Sequence, residues 1–201
     1  MTALPKQLYT LEEYLALDAV SEERLEYWNG EIYSMSGASK EHDGIELNLI
    51  ETLRPRLRHK GCQVFSANMR LKVPTALPYR YGDLSALCSE AQFEKIGGVD
   101  VLLNPALIIE VLSPSTEDYD QEGKFKSYKS IESFREYLLI AQVRPHIAQH
   151  VKQNDGSWIL REYDDLDDVI TLTSVGSELV LREIYQDITF PPLPARSPEL
   201  R

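Results

Sequence analysis

The run Leu107-Ile108-Ile109-Glu110-Val111-Leu112, followed by Ser113-Pro114-Ser115-Thr116, decides how the rest of the chain is read. Five of its six leading residues are aliphatic, the pattern of a central strand buried on both faces of a sheet. One acid interrupts it. An ionised carboxylate in such a strand is costly unless a cation or strong donors compensate it. Ile108, Ile109, Val111 and Leu112 offer neither. Glu110 is therefore either a strand-end acid held by the turn that follows, or part of a charged site completed from outside the strand.

Upstream, Asp83 follows Gly82 and opens a short strand, Leu84 to Cys88. On its own an aspartate after glycine is an ordinary turn residue. Beside Glu110 it becomes a partner, because carboxylates at the ends of neighbouring strands converge on one cation. Hard cations such as Mg²⁺ take oxygen ligands and keep several waters, so two carboxylates and a substrate phosphate suffice. Downstream, the periodicity predicts a helix over about 117–129. Asp120, Lys124 and Tyr128 recur every four residues on one face of it. Lys124 then reaches the carboxylate pair as a point charge. As a cleft lysine it is expected to contribute little to stability.

Farther out, Phe65, Ala67, Met69, Leu71 and Val73 alternate with Ser66, Asn68, Arg70 and Lys72. The period of two predicts one half-buried strand from Gln63 to Val73, with Arg70 and Lys72 on its polar face as candidates to approach phosphates. Toward the N-terminus, Thr10 and Glu13 form a capping box, and Asn29-Gly30 marks a hairpin within Arg24 to Met35. Ser39 caps a long helix with the stripe Ile45, Leu49, Leu53 and Leu57. Arg135 to Ala141 reads as another strand. From Pro145 the pattern is antiparallel strands around Asn154-Asp155-Gly156, with a solvated turn at Asp164 to Asp168 and an irregular tail from Phe190. No repeat or linker divides the 201 residues, which read as a single α/β domain. Its core runs over about 24–141 and C-terminal strands over about 145–190.

Composition sets limits. The net charge of −11 argues against indiscriminate coating of nucleic acid and leaves room for a local contact. No apolar run approaches the roughly 20 residues of a bilayer span, and the N-terminus lacks a signal core. No membrane partner is expected. Cys62 and Cys88 show no C-x-x-C spacing and read as two buried thiols of a reducing cytoplasm. His146 and His150 stand four apart, but in a strand that spacing covers about 13 Å, too far for one zinc ion.

The stretches RLEYWNGEIYSMSGAS, YGDLSAL, LIIEVLSPSTEDYD and GKFKSYK together resemble the Uma-type family of endonucleases within the PD-(D/E)XK superfamily, over about Arg24 to Ala141. The resemblance implies a restriction-endonuclease-like core: a mixed β-sheet flanked by helices, with an N-terminal hairpin and C-terminal antiparallel strands. It implies hydrolysis of DNA phosphodiesters with Mg²⁺ or Mn²⁺, Asp83 and Glu110 as metal ligands, and a homodimer that cuts both strands. Two positions depart from the superfamily pattern. Gly82 stands where proline usually precedes the aspartate, and Leu112 stands where the superfamily lysine usually sits, which transfers that role to Lys124. Glu26 matches an acid near the family's N-terminal hairpin; it reads first as a solvated strand face and second as a further ligand. The competing expectation is a non-catalytic relative that keeps the fold as a nucleic-acid-binding or assembly module.

Overall fold

The computed structural model describes residues 8–28, 30–34, 37–113 and 119–190. Helix α1 (Leu11–Asp18) leads to the hairpin β1 (Leu25–Trp28) and β2 (Glu31–Ser34), then to the long α2 (Lys40–Arg58). Six short strands follow: β3 (Gln63–Ser66), β4 (Arg70–Leu71), β5 (Arg80–Tyr81), β6 (Leu84–Leu87), β7 (Phe93–Ile96) and β8 (Val99–Leu102). The central β9 (Leu107–Leu112) runs toward a π-helical segment (Tyr119–Lys124) continued by α3 (Phe125–Tyr128). Then come β10 (Glu136–Ala141), β11 (Ile147–Lys152), β12 (Trp158–Tyr163), β13 (Val169–Leu172), β14 (Ser177–Val180) and α4 (Leu181–Ile184).

The main sheet has the order β12-β11-β10-β9-β6-β3. It is mixed: β9 and β10 are parallel, whereas β6 is antiparallel to β9 and β11 to β10. The expected C-terminal strands β11 and β12 thus extend the same sheet as the core. A second sheet, β5-β4-β8-β7, stands beside it.

Strand period two sorts β9 between the layers. Ile109 and Val111 face α2, whose stripe Ile45, Leu49, Leu53 and Leu57 is wholly buried against them. Ile108 and Leu112 face the other layer, with Phe125, Tyr128, Phe134 and Tyr137. Glu110 shares the parity of Ile108 and Leu112, so it faces the layer that carries Lys124 and Tyr128. At α1 the capping box forms as expected, with Thr10 Oγ accepting from Glu13 N–H and the Glu13 carboxylate accepting from Thr10 N–H.

Three expectations are corrected. The strand expected over Gln63 to Val73 is two strands: β3 ends at Ser66, a turn closes with Met69 N–H donating to Ser66 O, and β4 joins the other sheet. The period of two had run together residues of different strands. The helix expected over about 117–129 is described only from Tyr119 and begins with π-helical turns; residues 114–118, including most of the SPST turn, lie outside the described residues, as does the tail beyond Phe190. The cysteines are not free thiols, for Cys62 and Cys88 form a disulfide. Gln63 lies opposite Leu87 in the β3–β6 ladder, so the residues just beyond that pair, Cys62 and Cys88, face one another. Register of that kind is absent from the linear sequence. Among the described residues no helix is long and apolar enough to cross a membrane.

Candidate metal-dependent active site

Four pieces of chain converge on a cavity of about 480 Å³: the β1–β2 hairpin, the first turns of α2, the adjoining ends of β6, β9 and β10, and the π-helical turns. Asp83, Glu110 and Lys124 all line it, together with Glu26 and Asp120. Tyr128 lies behind them, fully buried.

Lys124 sits at the centre of the acids. Its Nζ lies 3.1 Å from Glu110 Oε2 and 3.1 Å from Asp120 Oδ1, and donates to Tyr81 O at 3.3 Å. On the other side of Glu110, the Tyr128 hydroxyl donates to Oε1 at 2.8 Å and lies 3.1 Å from Tyr81 O. Asp120 is fixed in turn where Tyr137 donates to its carbonyl at 3.1 Å. Burial opposes charge on Lys124, but Glu110, Glu26, Asp120 and Asp83 outweigh it and hold its pKa well above the ordinary value. The expectation that Lys124 is a cleft lysine of little structural weight is overturned, since it is only 4% exposed. Helical spacing did place Asp120, Lys124 and Tyr128 on one face; that face is buried, not solvated.

Asp83 looks the other way. Its Oδ2 accepts from Val111 N–H at 2.6 Å and lies 3.5 Å from His42 Nε2 on α2. Ligand atoms of His42, Glu46 and Asp83 all fall within 4.8 Å of one another. Burial would raise the Asp83 pKa, but His42, Lys124 and the Val111 amide lower it below the ordinary value. Burial likewise disfavours the His42 imidazolium, yet Asp83 and Glu46 raise its pKa overall. Burial and the Asp83 charge push Glu46 up to about 7. Five carboxylic side chains (Glu26, Glu46, Asp83, Glu110, Asp120) line the cavity beside two permanent cations (Arg24, Lys124), and burial raises the Glu110 pKa well above the ordinary value as it does that of Glu46.

The donor set fits a divalent cation. Two carboxylates and one imidazole within mutual reach are a ready-made cation site, and the nitrogen donor suits Mn²⁺ better than the oxygen-demanding Mg²⁺.

Gly82 explains one departure from the superfamily pattern. A Cβ there meets Ile108 Cγ2 at 2.9 Å, so a larger residue, proline included, forces the turn or the Ile108 side chain to shift.

Glu26 is not on a solvated face. It is 3% exposed, its Oε1 lies 3.8 Å from Arg80 Nε, and it accepts from Tyr81 N–H at 3.4 Å. Arg70 and Lys72 are not brought to the cavity: Arg70 pairs with Asp18 at 2.7 Å and donates to Tyr81 Oη, while Lys72 pairs with Glu94. His146 and His150 also part company, His146 hydrogen-bonded to Asp164 at 2.9 Å and His150 packed on Phe125.

Sequence reasoning missed His42 and Glu46. Their i,i+4 spacing on the first turns of α2 was the available signal, but at a helix start such a pair usually marks a solvated face.

The mixed sheet, the flanking helices and the acidic cavity at the strand ends define a domain of the restriction-endonuclease-like class. The chain matches the Uma2 family, described as "Putative restriction endonuclease", over residues 11–182, and belongs to it. It is 31% identical to the Synechocystis sp. uncharacterized protein slr1290 over 179 residues, 89% of this chain and 92% of that one. It is 32% identical to sll1609 of the same organism over 162 residues, 81% of this chain and 91% of that one. Its fold is similar to the crystal structure of a "putative nuclease" from Anabaena variabilis ATCC 29413, with a TM-score of 0.70, 18% identity, and coverage of 88% of this chain and 97% of that one. Family membership places the protein among nucleases.

Proposed function

We propose that the protein is a divalent-metal-dependent endonuclease that hydrolyses DNA phosphodiester bonds, with Asp83 as the central ligand. The observation that carries this is the convergence of His42, Glu46 and Asp83 within 4.8 Å in a cavity lined by carboxylic side chains. Mg²⁺ and Mn²⁺ are the cofactors this reading calls for, with Mn²⁺ the better match to a site containing an imidazole. Bound there, the ion supplies an activated water and balances charge on the scissile phosphate. Glu110 is the second acid of the family pattern in the same cavity. Burial raises the Glu110 pKa well above the ordinary carboxylate value against the pull of Lys124, and Lys124 and Tyr128 fix its two oxygens in place. Asp120 shares the Lys124 charge, and Glu26 adds to the negative field from the hairpin.

A homodimer belongs to this reading, because two sites related by a two-fold axis cut both strands of a duplex; light scattering reads it directly, with a 23.0 kDa particle contradicting it. The activity is tested by nicking of supercoiled plasmid in Mg²⁺, Mn²⁺ or EDTA. Nicks are expected with either ion and none with EDTA, and Asp83→Asn should abolish them. Absence of cleavage under all three conditions, with Mn²⁺ still bound, would favour the non-catalytic binding module instead.

A further inference from the structure

A phosphodiester brought to this cavity must be held by donors that are not already committed, and Lys124 is not one of them. Its ammonium donates to Glu110 and to the Tyr81 carbonyl and lies 3.1 Å from Asp120 Oδ1, so it is already engaged by three oxygens. The surrounding carboxylates also repel a phosphate, so neutral or cationic donors at the cavity wall have to offset them.

Gln142 is such a donor. It lies just past the end of β10, beside the end of β9, lines the cavity, and is 6% exposed. Ser39, the N-cap of α2, uses one lone pair of its hydroxyl to accept from His42 N–H at 3.1 Å. Its own proton goes to Gln142 Oε1 at 2.6 Å. That bond fixes the carboxamide: the oxygen is turned to Ser39, and the –NH₂ group has no hydrogen-bond partner among the described residues. The side chain as a whole is nine-tenths buried and fixed by Ser39, while its –NH₂ group opens onto the cavity, where an entering acceptor can take its donors. The same Ser39 hydroxyl binds the backbone of His42, whose ring reaches Asp83, so the free donor stands on the wall next to the cation ligands. On the hairpin side of the cavity, Arg24 commits Nη1 to Ala67 O at 2.9 Å, and its other guanidinium N–H groups have no partner among the described residues.

We propose that Gln142 is a substrate-binding residue whose –NH₂ group, aimed by Ser39, donates to a non-bridging phosphate oxygen of the nucleic-acid strand, with Arg24 as the charged counterpart. Resting on the metal-dependent nuclease reading, it names the residues that recognise the substrate. Ser39 positions, and Gln142 and Arg24 touch.

The test uses the full chain and a fluorescent oligodeoxynucleotide, with Ca²⁺ present to fill the cation site, read by anisotropy beside Mn²⁺ titration and thermal unfolding. Gln142→Met keeps the side-chain length and removes the donors. Its affinity for the oligonucleotide should fall roughly ten- to a hundredfold, the range of one hydrogen bond to a charged oxygen. Mn²⁺ affinity should stay at the parent's level, while Tm should fall because the Ser39 hydroxyl loses its acceptor. Gln142→Glu, which replaces the donor with a carboxylate, should bind the oligonucleotide no better than Gln142→Met. If Gln142→Met binds Mn²⁺ and oligonucleotide as tightly as the parent, the assignment of Gln142 is overturned and the metal site stands. If the parent itself binds no Mn²⁺, the metal reading falls and this inference falls with it.

Discussion

The ammonium of Lys124 lies 3.1 Å from the carboxylate of Glu110, and both side chains are almost wholly shielded from water. Lys124 is shared with Asp120, also at 3.1 Å, whereas Glu110 has Lys124 as its paired cation. Removing Lys124 leaves buried acids without their cation, a change that costs about 3–5 kcal/mol. Lys124→Ala is therefore expected to lower unfolding free energy by that order in urea titration, and Glu110 to take up a proton. An unfolding free energy within about 0.5 kcal/mol of the parent's, the norm for a surface substitution, would show that the pair is not closed as described.

Gly82 is a second point where the site constrains the fold. A Cβ at this position would stand only 2.9 Å from Ile108 Cγ2, so Gly82→Ala forces β9 or the turn to shift. The expected cost is about 1–3 kcal/mol, the usual range for overpacking, together with weaker Mn²⁺ binding, because Asp83 is the next residue. Parent-like stability and metal affinity in Gly82→Ala would contradict the close approach.

Cation affinity should depend on pH with a definite sign. Glu46 titrates at about 7 and His42 above its ordinary value, so both hold protons at the acidic side of neutrality. A cation has to displace those protons. Affinity for Mn²⁺ should therefore rise as pH increases from about 6 to 8, by up to tenfold per unit for each proton released. Glu46→Gln should weaken binding and flatten the slope. An affinity indifferent to pH over that window would exclude these two residues as ligands.

The disulfide ties the exit of α2 to the end of β6, the two elements whose opposite ends carry His42, Glu46 and Asp83. Cys62 and Cys88 are 26 residues apart. Loop-closure entropy for that span is worth about 3–4 kcal/mol. Reduction, or Cys88→Ser, should lower stability by that order, measured by denaturant unfolding with and without dithiothreitol. No difference between oxidised and reduced protein would show that the pair does not bridge in solution.

What the sequence made legible follows physical contrast. Glu110 stood out because one acid in an aliphatic strand has few explanations, and Asp120, Lys124 and Tyr128 because helical spacing put them on one face. The stripe of α2 was equally plain. Features that depend on register or on what lies opposite were hidden. Cys62 and Cys88 meet only because Gln63 pairs with Leu87. His42 and Glu46 become a cation site only because the end of β6 delivers Asp83 to them. Arg70 and Lys72 were drawn toward the site on paper because the alternation crosses from one sheet to the next without a break in its period.

The most direct measurement is the anomalous scattering of Mn²⁺ soaked into crystals of the parent protein. A peak is expected within bonding distance of His42, Glu46 and Asp83, and it should vanish in Asp83→Asn. A protein that takes up no Mn²⁺ at this cluster, or an ion bound elsewhere in the chain, would contradict the assignment of the cavity as a metal-dependent active site.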